Sequence, residues 1–165
     1  MNVTEALTYI HSVCWKGSIP GLSRTKELLA RMGNPEKRLR FVHIAGTNGK
    51  GSTAAMIASV LQKAGYRTGL YTSPYLFRFH ERMKVNGEDI TDGELAEITQ
   101  WVKPHAEAME DHPTEFELVT AIAMEYFARQ RCDIVVLEVG MGGEWDSTNV
   151  IDPPEAAVIC NLGLD

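Results

Sequence analysis

At 165 residues the chain has room for one domain with a sizeable core and too little for two. Sixteen Lys and Arg against 22 Asp and Glu leave a formal charge of −6, which argues against a broad nucleic-acid or anionic-membrane surface but leaves local basic pockets open. The three cysteines (Cys14, Cys132, Cys160) are widely spaced without a CxxC pair, and no apolar stretch reaches the roughly 18 residues of a membrane span, so a soluble cytoplasmic protein with free thiols is expected.

In chain order, residues 2–12 and 23–32 read as short helices, the second opening at Ser23 and stopping before Gly33, with Asn34 and Pro35 as stop signals. FVHIA (41–45) is the first strand. The helix after it, over 52–64, puts Met56, Ile57, Val60 and Leu61 on one face and ends at Gly65. YRTGLYT (66–72) is a second strand. From 73 to 91 the chain is polar and irregular, rich in Arg, Phe and His, and closes in a VNGED turn; nineteen residues is long for an idle connection and points to a functional loop. Thr91 with Glu94, and Thr114 with Glu117, are capping boxes that open the next two helices. DIVVLEV (133–139) and AAVICNL (156–162) are apolar runs of the kind buried on both faces of a parallel sheet. Strands separated by helices predict an α/β fold with a mainly parallel sheet, right-handed crossovers and ligands at the carboxyl ends of the strands.

That rule gives meaning to AGTNGKGST (45–53), which follows the first strand directly. Gly46, Gly49 and Gly51 let the backbone turn its N–H groups inward as an anion nest at a helix start. Lys50 adds a positive charge for a β or γ phosphate, and Ser52 or Thr53 a hydroxyl for Mg²⁺. The spacing departs from the common GxxxxGK[ST] form, because Ile44 stands six before Lys50 and Gly51 separates the lysine from Ser52. A tight glycine turn with a solvent-facing lysine is the plainer alternative. Ser73, after the second strand, reads as a turn residue or a magnesium ligand. Glu138, near the end of the third, is costly to bury without a cation or several donors, so it reads as a buried salt bridge or part of a Mg²⁺ shell. GMGGEWDSTN (140–149) then brings close-approach glycines and the polar groups of Asp146, Ser147 and Asn149 to the same sheet edge.

AGTNGKGST (45–53), LYTSPYLFRFHERMKVNG (70–87) and LEVGMGGEWDSTN (137–149), in this order, resemble the amino-terminal ATPase domain of the folylpolyglutamate synthase and dihydrofolate synthase family. The likeness runs from about Thr8 to Asp165. The extra Gly51 matches this family's loop and separates the chain from the related peptidoglycan Mur ligases, whose loop runs GK straight into two hydroxyl residues.

The resemblance implies a three-layer, P-loop-type α/β domain like the Mur ligase central domain, here truncated, with residues 1–165 an incomplete amino-terminal ATP-binding domain and no carboxyl-terminal glutamate-binding domain. It implies that Thr47, Asn48, Gly49, Lys50, Gly51, Ser52 and Thr53 bind ATP, with Lys50 and Glu138 catalytic. Ser52, Ser73 and Glu138 would surround Mg²⁺, and the 73–91 segment would be a flexible Ω loop beside the pterin. Ser23 and Arg24, Thr114 and Phe116, and Trp145, Asp146 and Ser147 would line the folate side. Four of these also have a structural reading: Thr114 as a cap, Phe116 as a core residue, Trp145 as a loop shield, Arg24 as a solvated helix charge.

The implied reaction is ATP-driven amide formation. A phosphoryl group passes to the carboxylate of dihydropteroate or of a folate, and the amine of L-glutamate attacks the acyl phosphate; such chemistry asks mainly for positioning and charge neutralisation. None of His11, His43, His80, His105 and His112 has metal or triad spacing, although His80 lies in the long loop between Arg78 and Arg82. The chain stops at NLGLD, where the resemblance predicts a further metal-binding histidine, so a fragment that is inactive alone and prone to self-association is expected, the full enzyme being a monomer. The alternative is a phosphate-loop binding or regulatory module that never forms an amide.

Overall fold

The computed structural model describes residues 1–17 and 19–163; Ser18, and the Leu164 and Asp165 that close the NLGLD stretch, lie outside them. The elements run α1 (Val3–His11), α2 (Ser23–Arg31), β1 (Phe41–Ala45), α3 (Lys50–Lys63), β2 (Thr68–Tyr71), β3 (Met83–Val85), β4 (Glu88–Asp89), α4 (Asp92–Glu107), α5 (Glu115–Arg129), β5 (Ile134–Glu138) and β6 (Ala156–Ile159). They form one sheet in the order β4-β3-β2-β5-β1-β6, with β2, β5, β1 and β6 parallel and β3 and β4 an antiparallel edge.

Side chains alternate across the central strands, and the two faces are covered differently. Phe41, Tyr71, Val135 and Leu137 pack with Ile10, Leu28, Leu95 and Leu118 from α1, α2, α4 and α5. Val42, Ile44, Ile134 and Val136 pack on the other face against Ala54 and Ala58 of α3. The result is an α/β fold with a mainly parallel sheet, as the strand–helix alternation predicts, in the three layers that the resemblance implies. Both capping boxes form as read: the Thr91 side chain accepts from Glu94 N–H and the Thr114 side chain from Glu117 N–H, while each glutamate reaches back to the cap backbone.

Three local expectations are corrected. The helix after β1 begins at Lys50 rather than Ser52, and its buried face is Ala54 and Ala58 with Ile57 and Leu61 beside them, whereas Met56 and Val60 are 62% and 68% exposed. A helix lying close on a sheet needs small residues at the contact, and the larger apolar side chains fall outside it. The 73–91 segment is irregular only in its first half. Phe79–Arg82 is a 3-10 turn, and β3 and β4 form a hairpin whose turn has Asn86 at φ 50° and Gly87 at φ 85°. Finally, β6 is not buried on both faces: it is the sheet edge, with Ile159 70% exposed. No helix among the described residues is long and apolar enough to cross a membrane.

Candidate functional site

Three chain segments meet at the carboxyl ends of β1, β2 and β5. After β1, Gly46 takes φ 143°, and a Cβ there would stand 2.8 Å from Cys160 Cβ, so the loop can turn only beneath a glycine. The first intrahelical bond of α3 joins Thr53 N–H to Gly49 O at 2.9 Å. Among the described residues the amides of Lys50, Gly51 and Ser52 therefore remain as the helix's uncommitted donors, at its positive end. The Lys50 ammonium folds back to donate to Gly46 O at 2.8 Å and Thr47 O at 3.4 Å. Thr47 and Asn48 are engaged differently, because their amides donate to Asn161 O, at 2.9 and 3.4 Å.

Glu138, at the end of β5, is 4% exposed. Among the described residues it has no salt bridge, and its hydrogen-bond donor is Ser73 N–H, 2.9 Å from Oε2. Burial pushes its carboxyl above the usual range, with the Ser73 bond and the charge of Lys50 pulling the other way. A Cβ on Gly51 would lie 3.7 Å from both carboxylate oxygens, so the loop leaves them open on that side. The salt-bridge reading of Glu138 is thus not what the structure contains.

These residues fit a hard divalent cation such as Mg²⁺. A desolvated carboxylate with one amide donor and no ion-pair partner among the described residues faces the turn that carries the free amides. No group of three or more His, Cys, Asp or Glu side chains able to hold a metal occurs among the described residues. Glu138, with the hydroxyls of Ser52 and Ser73, would hold the ion and leave its remaining positions to phosphate and water.

Ser73 also lines a cleft of about 560 Å³, within the range of small-molecule sites. Thr114, Phe116, Trp145, Asp146 and Ser147, which the resemblance assigns to a folate side, line it together with Ile19, Pro20, Pro74 and the 140–144 glycine loop. Ile19 and Pro20 have only a Pro-Gly turn beside an apolar residue as their sequence signal, too common to single them out. Ser23 and Arg24 do not line the cleft. Ser23 is exposed at the start of α2, and Arg24 is spent on Glu117, Nε lying 2.9 and 3.1 Å from its two oxygens. His80 is buried beside Asp92, Nε2 to Oδ1 2.9 Å, and is not among the cleft residues.

Asp146 works on the loop as much as on the cleft. Its Oδ2 accepts from Met141 N–H at 2.8 Å, and its Oδ1 accepts from Thr148 N–H at 3.0 Å and Thr148 Oγ1 at 2.6 Å. Since Thr148 gives its one hydroxyl proton to Asp146, its bond to His43 at 2.8 Å has Nε2–H as donor, and burial holds that imidazole below its usual range. A chain from β1 to the glycine loop results, linking His43, Thr148 and Asp146 to Met141. Gly140 lies within it, and a Cβ there would be 2.5 Å from Phe116 Cζ. Gly140→Ala is accordingly expected to cost about 1–3 kcal/mol through overpacking. Urea unfolding checks this; no loss of stability would mean that the loop or the ring has free room to move.

The chain matches the Mur ligase middle domain over residues 44–165. It is 49% identical to a Bacillus subtilis dihydrofolate synthase/folylpolyglutamate synthase over 98% of this chain and 38% of that protein. It is 41% identical to the Lacticaseibacillus casei folylpolyglutamate synthase over 100% of this chain and 40% of that protein. Among solved structures, an FPGS–AMPPCP–folate complex superposes with TM-score 0.93 at 41% identity, covering all of this chain and 41% of that one. E. coli FolC with DHPP and ADP gives 0.90 at 34% identity, covering 100% and 39%. The chain spans about two fifths of the length of the relatives it matches.

Proposed function

Because the chain belongs to the Mur ligase middle-domain family, we propose that it is the amino-terminal, ATP-binding part of a ligase that joins L-glutamate to dihydropteroate or a folate. The observation that carries this reading is the position of Glu138. Its carboxylate accepts from Ser73, which lines the cleft, and faces Gly51 in the loop of free amides. One charged group thereby joins a nucleotide subsite to a substrate subsite, which is what phosphoryl transfer to a bound carboxylate requires.

In this reading ATP is a substrate, its phosphates received by the amides of Lys50, Gly51 and Ser52 and by the Lys50 ammonium once it leaves the loop carbonyls. Bound Mg²⁺ would neutralise phosphate charge. Ser73 holds the Glu138 carboxylate in place, and Phe116 and Trp145 offer aromatic surface to a pterin. The acyl phosphate forms when the acceptor carboxylate takes the γ-phosphoryl group and ADP leaves; glutamate's amine then displaces phosphate. No side-chain nucleophile takes part. The relatives named for both synthase activities support the substrate pair, and the nucleotide, folate and DHPP complexes among the structural neighbours support the two subsites.

Thermal melts with Mg·AMPPCP, with and without dihydropteroate, test the proposal, since a ligand that binds the folded state raises its stability with the logarithm of saturation. Both ligands are expected to raise the midpoint, and Lys50→Ala to abolish the nucleotide response alone. A response to nucleotide and none to any pterin would instead favour a binding or regulatory module.

A further inference from the structure

His43 is a polar residue in a central strand whose other members, Phe41, Val42, Ile44 and Ala45, are apolar. It stands opposite Leu137 of β5 on one side and Ala157 of β6 on the other, and its Nε2 lies 2.8 Å from the hydroxyl of the fully buried Thr148. Thr148 Oγ1 approaches Asp146 Oδ1 to 2.6 Å, which requires the hydroxyl proton between them, because two bare oxygens at that separation repel. Oγ1 is then a buried acceptor, and among the described residues the His43 Nε2–H is its one donor. Losing that donor leaves the oxygen unpaired or lets the hydroxyl rotate off Asp146.

What Asp146 holds is a wall of the cleft. Its Oδ2 accepts from Met141 N–H at 2.8 Å, and Met141, Asp146 and Ser147 all line the cleft. The segment between them carries Gly142 and Gly143, with Gly142 at φ 69°, and so has little conformational preference of its own. Asn149 Nδ2 donates to Glu144 O at 3.1 Å and Gly21 N–H to Trp145 O at 3.4 Å, which ties down the second half of the segment. The side-chain anchor of its first half, among the described residues, is the Asp146 carboxylate. We propose that His43 is a positioning residue for the acceptor substrate: through the Thr148 hydroxyl it orients Asp146, and through Asp146 it holds the glycine-loop wall against which dihydropteroate or a folate lies. The identity of that ligand rests on the ligase reading, whereas the relay from β1 to Met141 does not. His43 is not itself a cleft residue, and it donates to nothing in the 46–53 loop. Its effect therefore falls on the acceptor side, as a buried, fully paired support behind a binding surface.

Calorimetric titration of the whole chain with dihydropteroate, and separately with Mg·AMPPCP, tests the proposal on folded variants. His43→Met is expected to weaken dihydropteroate binding about tenfold and to leave AMPPCP affinity within about twofold of the parent, the loss of one buried hydrogen bond being felt at one subsite only. His43→Gln, which keeps an N–H donor near the position of Nε2, should recover most of the loss. Thr148→Val should reproduce it, and adding His43→Met to Thr148→Val should cost little more, because both changes cut the same chain. Nitrogen NMR of the imidazole should show the proton on Nε2, and the Met141 amide resonance should move in His43→Met and return toward the parent position in His43→Gln. Failure of the parent chain to bind dihydropteroate would count against the ligase reading, and the Met141 resonance would then decide the relay by itself. The positioning role is overturned by an imidazole proton on Nδ1 alone, by a Met141 amide that ignores His43→Met, by dihydropteroate and nucleotide affinities that fall together, or by His43 and Thr148 losses that simply add.

Discussion

Arg24→Met is expected to lower the unfolding free energy by about 3–5 kcal/mol, the scale of leaving one member of a buried ion pair without its partner. Arg24 and Glu117 are 8% and 1% exposed, and the guanidinium Nε meets both carboxylate oxygens. Its other nitrogens reach Asp111 Oδ2 at 3.3 Å and Ile19 O at 2.9 Å. Glu117 is at the same time the capping-box glutamate of α5, accepting from Thr114 N–H at 2.7 Å. Methionine fills the space and leaves that carboxylate desolvated with the cap amide as its remaining donor. The pair also ties the start of α2, and through Ile19 one wall of the cleft, to α5. Urea unfolding measures the loss, and the double variant Arg24→Met with Glu117→Gln is expected to recover much of it, because removing both charges removes the unpaired one. A loss below about 1 kcal/mol would place Arg24 among ordinary surface charges and reopen its role as a direct folate ligand.

This ion pair shows where sequence reasoning stops. Arg24 and Glu117 are 93 positions apart, and each has a sufficient local explanation, one as a helix-surface cation and the other as an N-terminal cap. The cap reading of Glu117 is right and incomplete. His43 and Thr148, 105 apart, are the same case: a histidine in an apolar strand carries no signal of the hydroxyl it will meet. Local chemistry, by contrast, was legible. The capping boxes, the loop after β1 and the acidic end of β5 are each written in a few consecutive residues. In α3 the large apolar residues draw the sequence reading to the wrong face, because close packing on a sheet favours the small Ala54 and Ala58. At Asn86-Gly87 the sequence shows the turn but not the hairpin, since two- and three-residue strands are too short for alternation to appear. Of the site, the elements were readable and their sharing was not: only the folded chain places the Ser73 amide on Glu138 and the Gly51 backbone opposite it.

Glu138→Gln is expected to move stability and nucleotide binding in opposite directions. In metal-free buffer, burial holds the carboxyl of Glu138 above its ordinary range. The folded state then binds its proton more tightly than the unfolded state does, so stability falls as pH rises through the raised value. The penalty is absent below the ordinary carboxylate range and fully present above the raised one. Glutamine has no charge to desolvate, and its amide oxygen can still accept from Ser73 N–H. With a chelator present, the variant should melt above the parent at neutral pH, and the gap should close as the pH is lowered through the raised value and the ordinary carboxylate range. With Mg²⁺ and AMPPCP the order reverses, because the variant lacks the charge that meets the cation; affinity should fall on the order of a hundredfold, the scale of removing one partner of a buried charge contact. Melting and calorimetric titration of the same two proteins give both signs. If the variant melts no higher without metal and binds magnesium nucleotide as tightly with it, then the carboxylate is neither a desolvated charge nor a cation ligand, and the link between loop and cleft must be carried by another group.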